Sequence, residues 1–231
     1  MGVDEATLRL AARQQQATPW LRFYQWEVPT LSLGYFQPLA ERDQHQPSRQ
    51  CKLVRRSTGG GAILHHLEWT YSLVVRSDAR FHSQSLYDDA HQALIGVLGD
   101  LGIDARLVSE DGQRNHQTNP AFLCFQRRST GDVVVGDHKV LGSAQRRIGQ
   151  TILQHGSLIL ERSPNAPEIA GLYDLATLDV SPVQLRDLWI ERLAEIWDWQ
   201  LEKSDWNPEE KRGAAEWQTC RFAEDGWTQR R

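Results

Sequence analysis

The spacing of apolar residues changes several times along the chain, and each change predicts an element. Leu8, Ala11, Ala12 and Gln15 recur at helical spacing behind Asp4, which predicts a short helix over 4–16 capped by Asp4. After Pro19 the pattern turns to strands, at 21–26 and, beyond Pro29, at 30–35. Residues 37–50 are polar and contain prolines, without a period. Lys52 to Arg55 reads as a short strand entering a Gly-rich turn, and Thr70 to Val75 as another. Ser85, with Asp88 three residues on, opens a helix whose stripe of Leu86, Ala90, Ala93, Leu94, Val97, Leu98 and Leu101 ends at Gly102.

Residues 109–121 read as a polar loop. A hairpin follows: Val133-Val134-Val135, the turn pair Gly136-Asp137, then His138 to Leu141. Thr151 to Leu160 is a long apolar strand interrupted by His155-Gly156. Ser181-Pro182-Val183-Gln184 is a helix start with a cap, a proline at the first position and a glutamine at the capping-box position. Leu185, Leu188, Trp189, Leu193, Ile196 and Trp197 form the predicted buried face of that helix, and Asn207-Pro208 opens another carrying Trp217. Strands and helices mixed without strict alternation predict an α+β fold, with mixed β-sheets flanked by helices. No low-complexity linker divides the chain, so 1–231 reads as a single domain with C-terminal helices, about 181–225, packed on it.

Composition narrows the function classes. Lys+Arg 26 against Asp+Glu 30 gives a net charge of −4, which argues against nucleic-acid binding through bulk positive charge. Three cysteines, Cys51, Cys124 and Cys220, are odd in number, widely spaced and outside any zinc-ligand spacing. Neither a disulfide framework nor a metal site is indicated. Without a visible signal peptide or a long apolar run, the expectation is a reduced, soluble, cytoplasmic protein that contacts no membrane.

Two stretches carry candidate chemistry. The first is RRSTGGGAILHH at 55–66. Three consecutive glycines suit a turn or a close approach of main chain to a ligand, and Arg55 and Arg56 could hold a carboxylate or phosphate. Neither a P-loop nor a dinucleotide fingerprint matches, and a flexible hairpin loop with solvated arginines fits the spacing as well. His65 and His66 point to opposite faces of a strand, so they cannot share a metal. The second stretch is CFQRRSTGDVVVGDHKVLGSAQ at 124–145. With Gly136-Asp137 at the turn, Val134 pairs with Lys139, and Asp132 lies diagonally on the same face. Lys139 is then either a charge held by Asp132 and aimed at a substrate or a solvated edge residue. Cys124 is either a small buried hydrophobe or a nucleophile activated by a neighbouring cation.

Together these residues resemble the lipoate–protein ligase and octanoyltransferase family, relatives of the biotin–protein ligases. The resemblance runs from Asp4-Glu5 through LRFYQWEVPTLSLGYFQ, RRSTGGGAILHH and GDHKVLGSAQRR to LQHGSLIL at 153–160. It implies a biotin/lipoyl protein ligase-like catalytic domain. Arg55, Arg56, Ser57, Thr58, Gly59, Gly60 and Gly61, with His65, would line the groove for the acyl chain. Lys139 would orient the acyl carbonyl, with Asp132 beside it. Gly142, Ser143, Ala144, His155 and Gly156 would complete the substrate site.

Within that family, Cys124-Phe125 ahead of the lysine hairpin is the pattern of the cysteine-dependent octanoyltransferases. They take octanoate from acyl carrier protein, hold it as a thioester and need no cofactor. The tail is too short for the accessory domain of the two-domain ligases. The implied reaction moves an octanoyl group from octanoyl-acyl carrier protein to the target lysine of a lipoyl-domain protein such as the glycine-cleavage H protein. The alternatives are an ATP-dependent lipoate–protein ligase, which needs ATP and Mg, and an octanoyl or lipoyl amidotransferase acting between lipoyl domains.

Overall fold

The structure, a computed structural model, describes residues 1–15, 18–78, 81–109 and 121–230. Most of the polar loop expected at 109–121 therefore lies outside the described residues. Among the described residues, nine strands form two sheets. The larger takes the order β1 (Trp20–Tyr24), β5 (Glu68–Arg76), β9 (Thr151–Ile159), β8 (His138–Ile148), β7 (Val133–Val135), β6 (Ala105–Leu107), antiparallel throughout. The smaller places β2 (Thr30–Leu33) between β3 (Lys52–Arg55), parallel to it, and β4 (Ile63–His65), antiparallel.

Strand alternation gives the large sheet two different faces. Trp69, Tyr71, Leu73 and Val75 of β5, with Ile152 and Leu158 of β9, bury against helices α2 (Ser83–Asp100) and α4 (Pro182–Trp197). On the other face Val74 and Leu153 pack under helix α1 (Gly2–Gln14), while Ile159 meets the small sheet through Leu31, Leu33 and Leu64. Between these two packed regions, polar and small residues occupy the same face. A row runs Tyr24, Thr70, Ser157, Gly142 across four neighbouring strands, three spacings or about 14 Å. This row is the floor on which the candidate site is built.

The fold is α+β, with mixed sheets flanked by helices. Several local expectations need correction. Helix α1 begins at Gly2, so Asp4 lies inside it, buried, paired with Arg22 and accepting from Tyr24. His82 caps α2, accepting from the Ser85 N–H, because Ser85 occupies the third helical position. Strand β9 is continuous through His155-Gly156, and β8 extends to Ile148. Along α4, Leu185, Trp189, Leu193 and Trp197 are buried, four residues apart; Leu188 and Ile196 stand exposed beside that stripe. Helix α5 (Pro208–Trp217) starts at the predicted Asn207 cap, and short helices α3 (Leu172–Leu175) and α6 (Asp225–Thr228) complete the chain. Among the described residues no helix is long and apolar enough to cross a membrane.

Trp189 is the keystone of the helical face. Its ring packs edge-on against Phe23 and Tyr71, and its indole N–H donates to the Ala90 carbonyl of α2. Trp189→Ala removes both the packing and the partner of that carbonyl. It is expected to destabilise the protein by about 3–5 kcal/mol, read from the denaturant midpoint.

Candidate active site

Lys139 reaches the site because of an irregularity in the β7–β8 hairpin. Val135 pairs with His138 and Val134 with Lys139, but Val133 pairs with Leu141, leaving Val140 as an extra residue. Without that β-bulge, Lys139 and Gly142 would fall on opposite faces; with it, both face the polar floor. Val140 and Leu141 consequently both sink into the helical core. The lysine stem then runs along Gly142, where an added Cβ would lie 2.4 Å from its Cε and 2.7 Å from its Nζ.

The ammonium is buried, at 5% exposure, and held 2.7 Å from the Asp132 carboxylate. Asp132 also accepts from the Ser129 N–H at 2.7 Å and, more loosely, from the Tyr87 hydroxyl. Burial pushes the Asp132 carboxyl up from its ordinary value, against the pull of Lys139. On its other side Lys139 Nζ stands 3.8 Å from Cys124 Sγ and 5.1 Å from the centre of the Phe125 ring.

Cys124 is brought there by the glycine turn. The Ala62 N–H donates to the Phe122 carbonyl and the Cys124 N–H to the Ala62 carbonyl, so the two segments run as a short parallel bridge. Gly60, at φ 92°, passes so close that its Cβ would lie 2.9 Å from the Arg56 guanidinium and 4.0 Å from Cys124 Sγ. Arg56 donates to the carbonyls of Ser32, Gly59 and Gly61 and so ties this turn to β2. Burial brings its guanidinium down to about 10, with Cys124 opposing the shift.

These groups line a cavity of about 300 Å³. Its charged end holds Cys124, Lys139, Asp132 and Gly142, with Ser143 and Ala144 beside them. Arg56, Gly59, Gly60 and His65 form one wall, and His155 and Gly156 belong to the floor. Tyr24, Trp26, Ile63, Thr70, Tyr87 and Phe125 also line it. Of these, Tyr24, Trp26 and Ile63 fall within the stretches that carry the family resemblance and Phe125 stands beside Cys124, whereas Thr70 and Tyr87 fall in no motif. Strand pairing brings Tyr24 and Thr70 side by side, and helix α2 brings Tyr87 to Asp132. Trp26 stacks on His65, which hydrogen-bonds Ser32 and Glu68.

Arg55, Ser57, Thr58 and Gly61 stand outside this lining. Arg55 is fully buried and donates to the carbonyls of Gly34, Gln37 and Thr228, so it stitches the small sheet to the C-terminal segment. Thr58 bonds His155 Nε2. His66 turns the other way, to Ser163, and among the described residues no cluster of three metal-ligating side chains occurs.

Behind the floor runs an ordered chain of hydrogen bonds. Gln154 donates to the Tyr71 hydroxyl, Tyr71 meets Ser143 Oγ, and Ser143 meets His91 Nε2; His91 Nδ1 meets the Gly131 carbonyl, just before Asp132. A neutral imidazole donating from Nδ1 satisfies every member. Burial first, and Lys139 secondarily, hold His91 at about 4, and burial likewise lowers His155 to about 4.

The family model for the lipoyl protein ligase A/B catalytic domain matches residues 1–168. An octanoyltransferase LipM of Kyrpidia tusciae is 33% identical over 100% of this chain and 94% of its own length. A LipM octanoyltransferase of Moorella thermoacetica is 41% identical over 69% of this chain, which spans 60% of that relative's length. Among solved structures, protein Ta0514 of T. acidophilum superposes with TM-score 0.78 at 25% identity, covering 100% of this chain and 92% of that one. A lipoate-protein ligase A bound with ATP gives TM-score 0.77 at 25% identity, covering 99% and 92%.

Two outcomes follow from the geometry. Gly142→Ala pushes the end of Lys139 away from Asp132, so the protein should lose about 10²-fold in turnover and, with a buried charge pair disturbed, unfold at a lower denaturant concentration than the wild type. His91 and His155 bind fewer protons when folded than the free value of 6.5 allows. The stability they support is therefore complete above about pH 6.5 and is lost as pH falls toward 4. The denaturant midpoint should drop through that window, and less steeply in His91→Asn. With the family model matched over residues 1–168 and a LipM relative 33% identical along the whole chain, the chain belongs to the lipoyl protein ligase A/B catalytic-domain family, and its place there is among the octanoyltransferases, which are acyltransferase enzymes.

Proposed function

We propose that residues 1–231 act as one cytoplasmic catalytic unit that moves an octanoyl group from octanoyl-acyl carrier protein to a lysine of a lipoyl-domain protein, the glycine-cleavage H protein being a fitting acceptor, through a thioester on Cys124. The observation that carries the reading is Cys124 Sγ at 3.8 Å from a buried ammonium that Asp132 keeps in place. An ammonium beside the sulfur is placed to face the oxyanion that forms when the sulfur attacks an acyl carbonyl.

In the first step the Cys124 sulfur attacks the thioester carbonyl of the donor. The C–S bond to the pantetheine sulfur breaks, and that sulfur leaves carrying the proton given up by Cys124. In the second, the uncharged amine of the acceptor lysine attacks the acyl-enzyme, an amide forms, and the Cys124 thiol is regenerated. Lys139 faces the oxyanion that develops in both steps. Dividing the transfer in two needs no ATP, because each step exchanges one acyl bond for another. The eight-carbon chain lies along the row from Gly142 toward Tyr24 and Trp26, over Ser157 and Thr70. Arg56, Gly59, Gly60 and His65 wall it in, and Ser143, Ala144, His155 and Gly156 shape its floor. Arg55, Ser57, Thr58 and Gly61 hold that wall from behind.

The ATP-dependent ligase reading, with ATP and Mg, has one observation in its favour: the likeness to an ATP-bound lipoate-protein ligase A. It gives Cys124 no task. The two separate cleanly in an assay of octanoyl transfer onto a lipoyl domain. With octanoyl-acyl carrier protein and no ATP, the wild type should transfer, Cys124→Ala should lose the activity by several orders of magnitude, and Lys139→Ala should lose about 10²–10³-fold. Full activity of Cys124→Ala with ATP and free octanoate, and none of the wild type without ATP, would instead make the protein a ligase.

A further inference from the structure

The two arginines of the glycine turn are spent on backbone carbonyls, so any anion at the site must be met elsewhere. A groove of about 340 Å³ lies on the outer side of the cavity's glycine wall: Gly59 lines both. Tyr35, Phe36, Ser57, Arg146, Arg221 and Trp227 form the rest of its lining. Arg221 and the nearby Arg230 both stack on the Trp227 ring, and Arg230 also covers Tyr35, at 4.4 Å. Buried beneath the groove, Glu5 accepts from Arg9, Arg146 and Arg221. One carboxylate shared among three arginines fixes their positions and leaves their excess positive charge uncompensated.

The cavity also meets a wider groove at its other end, along Tyr24 and Trp26. There Arg22 is paired with Asp4 and Arg42 donates to the carbonyls of Arg49 and Cys51, and Glu27 and Asp225 stand among them. That end therefore has no comparable surplus. A donor whose acyl tail points toward Trp26 must send the remainder of its chain out past Gly59, over an aromatic wall and between arginines.

We propose that this groove is a subsite for the phosphate of a 4′-phosphopantetheine arm, read by Arg221, Arg146 and Arg230, with Tyr35 and Trp227 against the apolar part of the arm. The proposal rests on the thioester-transfer reading. Guanidinium pairs suit a phosphate by geometry as well as charge. Acyl carrier protein and coenzyme A present the same arm, so both are possible sources.

The test compares kcat/KM for octanoyl-phosphopantetheine and octanoyl-pantetheine, which differ only in the phosphate, with a lipoyl domain as acceptor. The wild type should favour the phosphorylated donor by about tenfold or more. Arg221→Gln should bring the ratio close to one while octanoyl-pantetheine turnover stays unchanged. Arg230→Ala, at an exposed position outside the Glu5 cluster, should lower the same ratio without risk to folding. Octanoyl-acyl carrier protein and octanoyl-coenzyme A should both lose in these variants. Equal kcat/KM for the two small donors in the wild type, or a ratio that survives both variants, overturns the subsite alone. A loss confined to the carrier protein also overturns it, in favour of a protein-docking patch. Failure of every thioester donor without ATP overturns the transfer reading itself, and the subsite with it.

Discussion

The extra residue at Val140 fixes the chemistry of this protein to its fold. By turning Lys139 onto the same face as Gly142, it places an ammonium on the polar side of a sheet whose opposite side is solid core. A buried cation is costly unless paired, and Asp132 supplies the pair at 2.7 Å. Much of the surrounding structure answers to that placement. Gly142 leaves room for the lysine stem, and Gly131, at φ 87°, sets the turn that presents Asp132. His91 reaches from α2 to hold the Gly131 carbonyl. The helices on the far face thus do more than cover the sheet, because one of their side chains fixes the turn that orients the charge pair.

The thiol arrives from the other wall by a different device. The chain after the three glycines pairs with the segment entering Cys124, so the small sheet and the large one meet at a thiol on one side and an ammonium on the other. The cavity between them is asymmetric. One end is charged, and the other is lined by the stacked pair of Trp26 and His65. An acyl chain with a reactive head and an inert tail matches that polarity, whereas a small polar substrate would leave the far end unfilled.

Sequence pattern made much of this legible, for identifiable reasons. The hairpin register was readable because Gly136-Asp137 is a strong turn signal, and with it the diagonal approach of Asp132 to Lys139. The bulge was not: nothing in Lys-Val-Leu-Gly marks Val140 as an extra residue, since two consecutive apolar side chains suit a strand buried on both faces equally well. The roles of Arg55 and Arg56 differ for a similar reason. A pair of arginines beside glycines reads as anion-binding, yet both serve the backbone, and the Arg146–Arg221 pairing on Glu5 comes from residues far apart in the chain. His65 and its stack with Trp26 depend on the segment that follows β1 of the large sheet reaching β4 of the small one, which no local period encodes. The tryptophans of α4 were readable because a helical stripe is a local property, although its width was overestimated at Leu188 and Ile196.

The proposed covalent transfer at a thiol set beside a buried lysine is most directly tested by intact-protein mass spectrometry of the enzyme mixed with octanoyl-acyl carrier protein, with ATP and acceptor omitted. One octanoyl adduct, released by hydroxylamine and mapped to Cys124, is the expected result. No adduct, or an adduct that resists hydroxylamine or persists in Cys124→Ala, would contradict it.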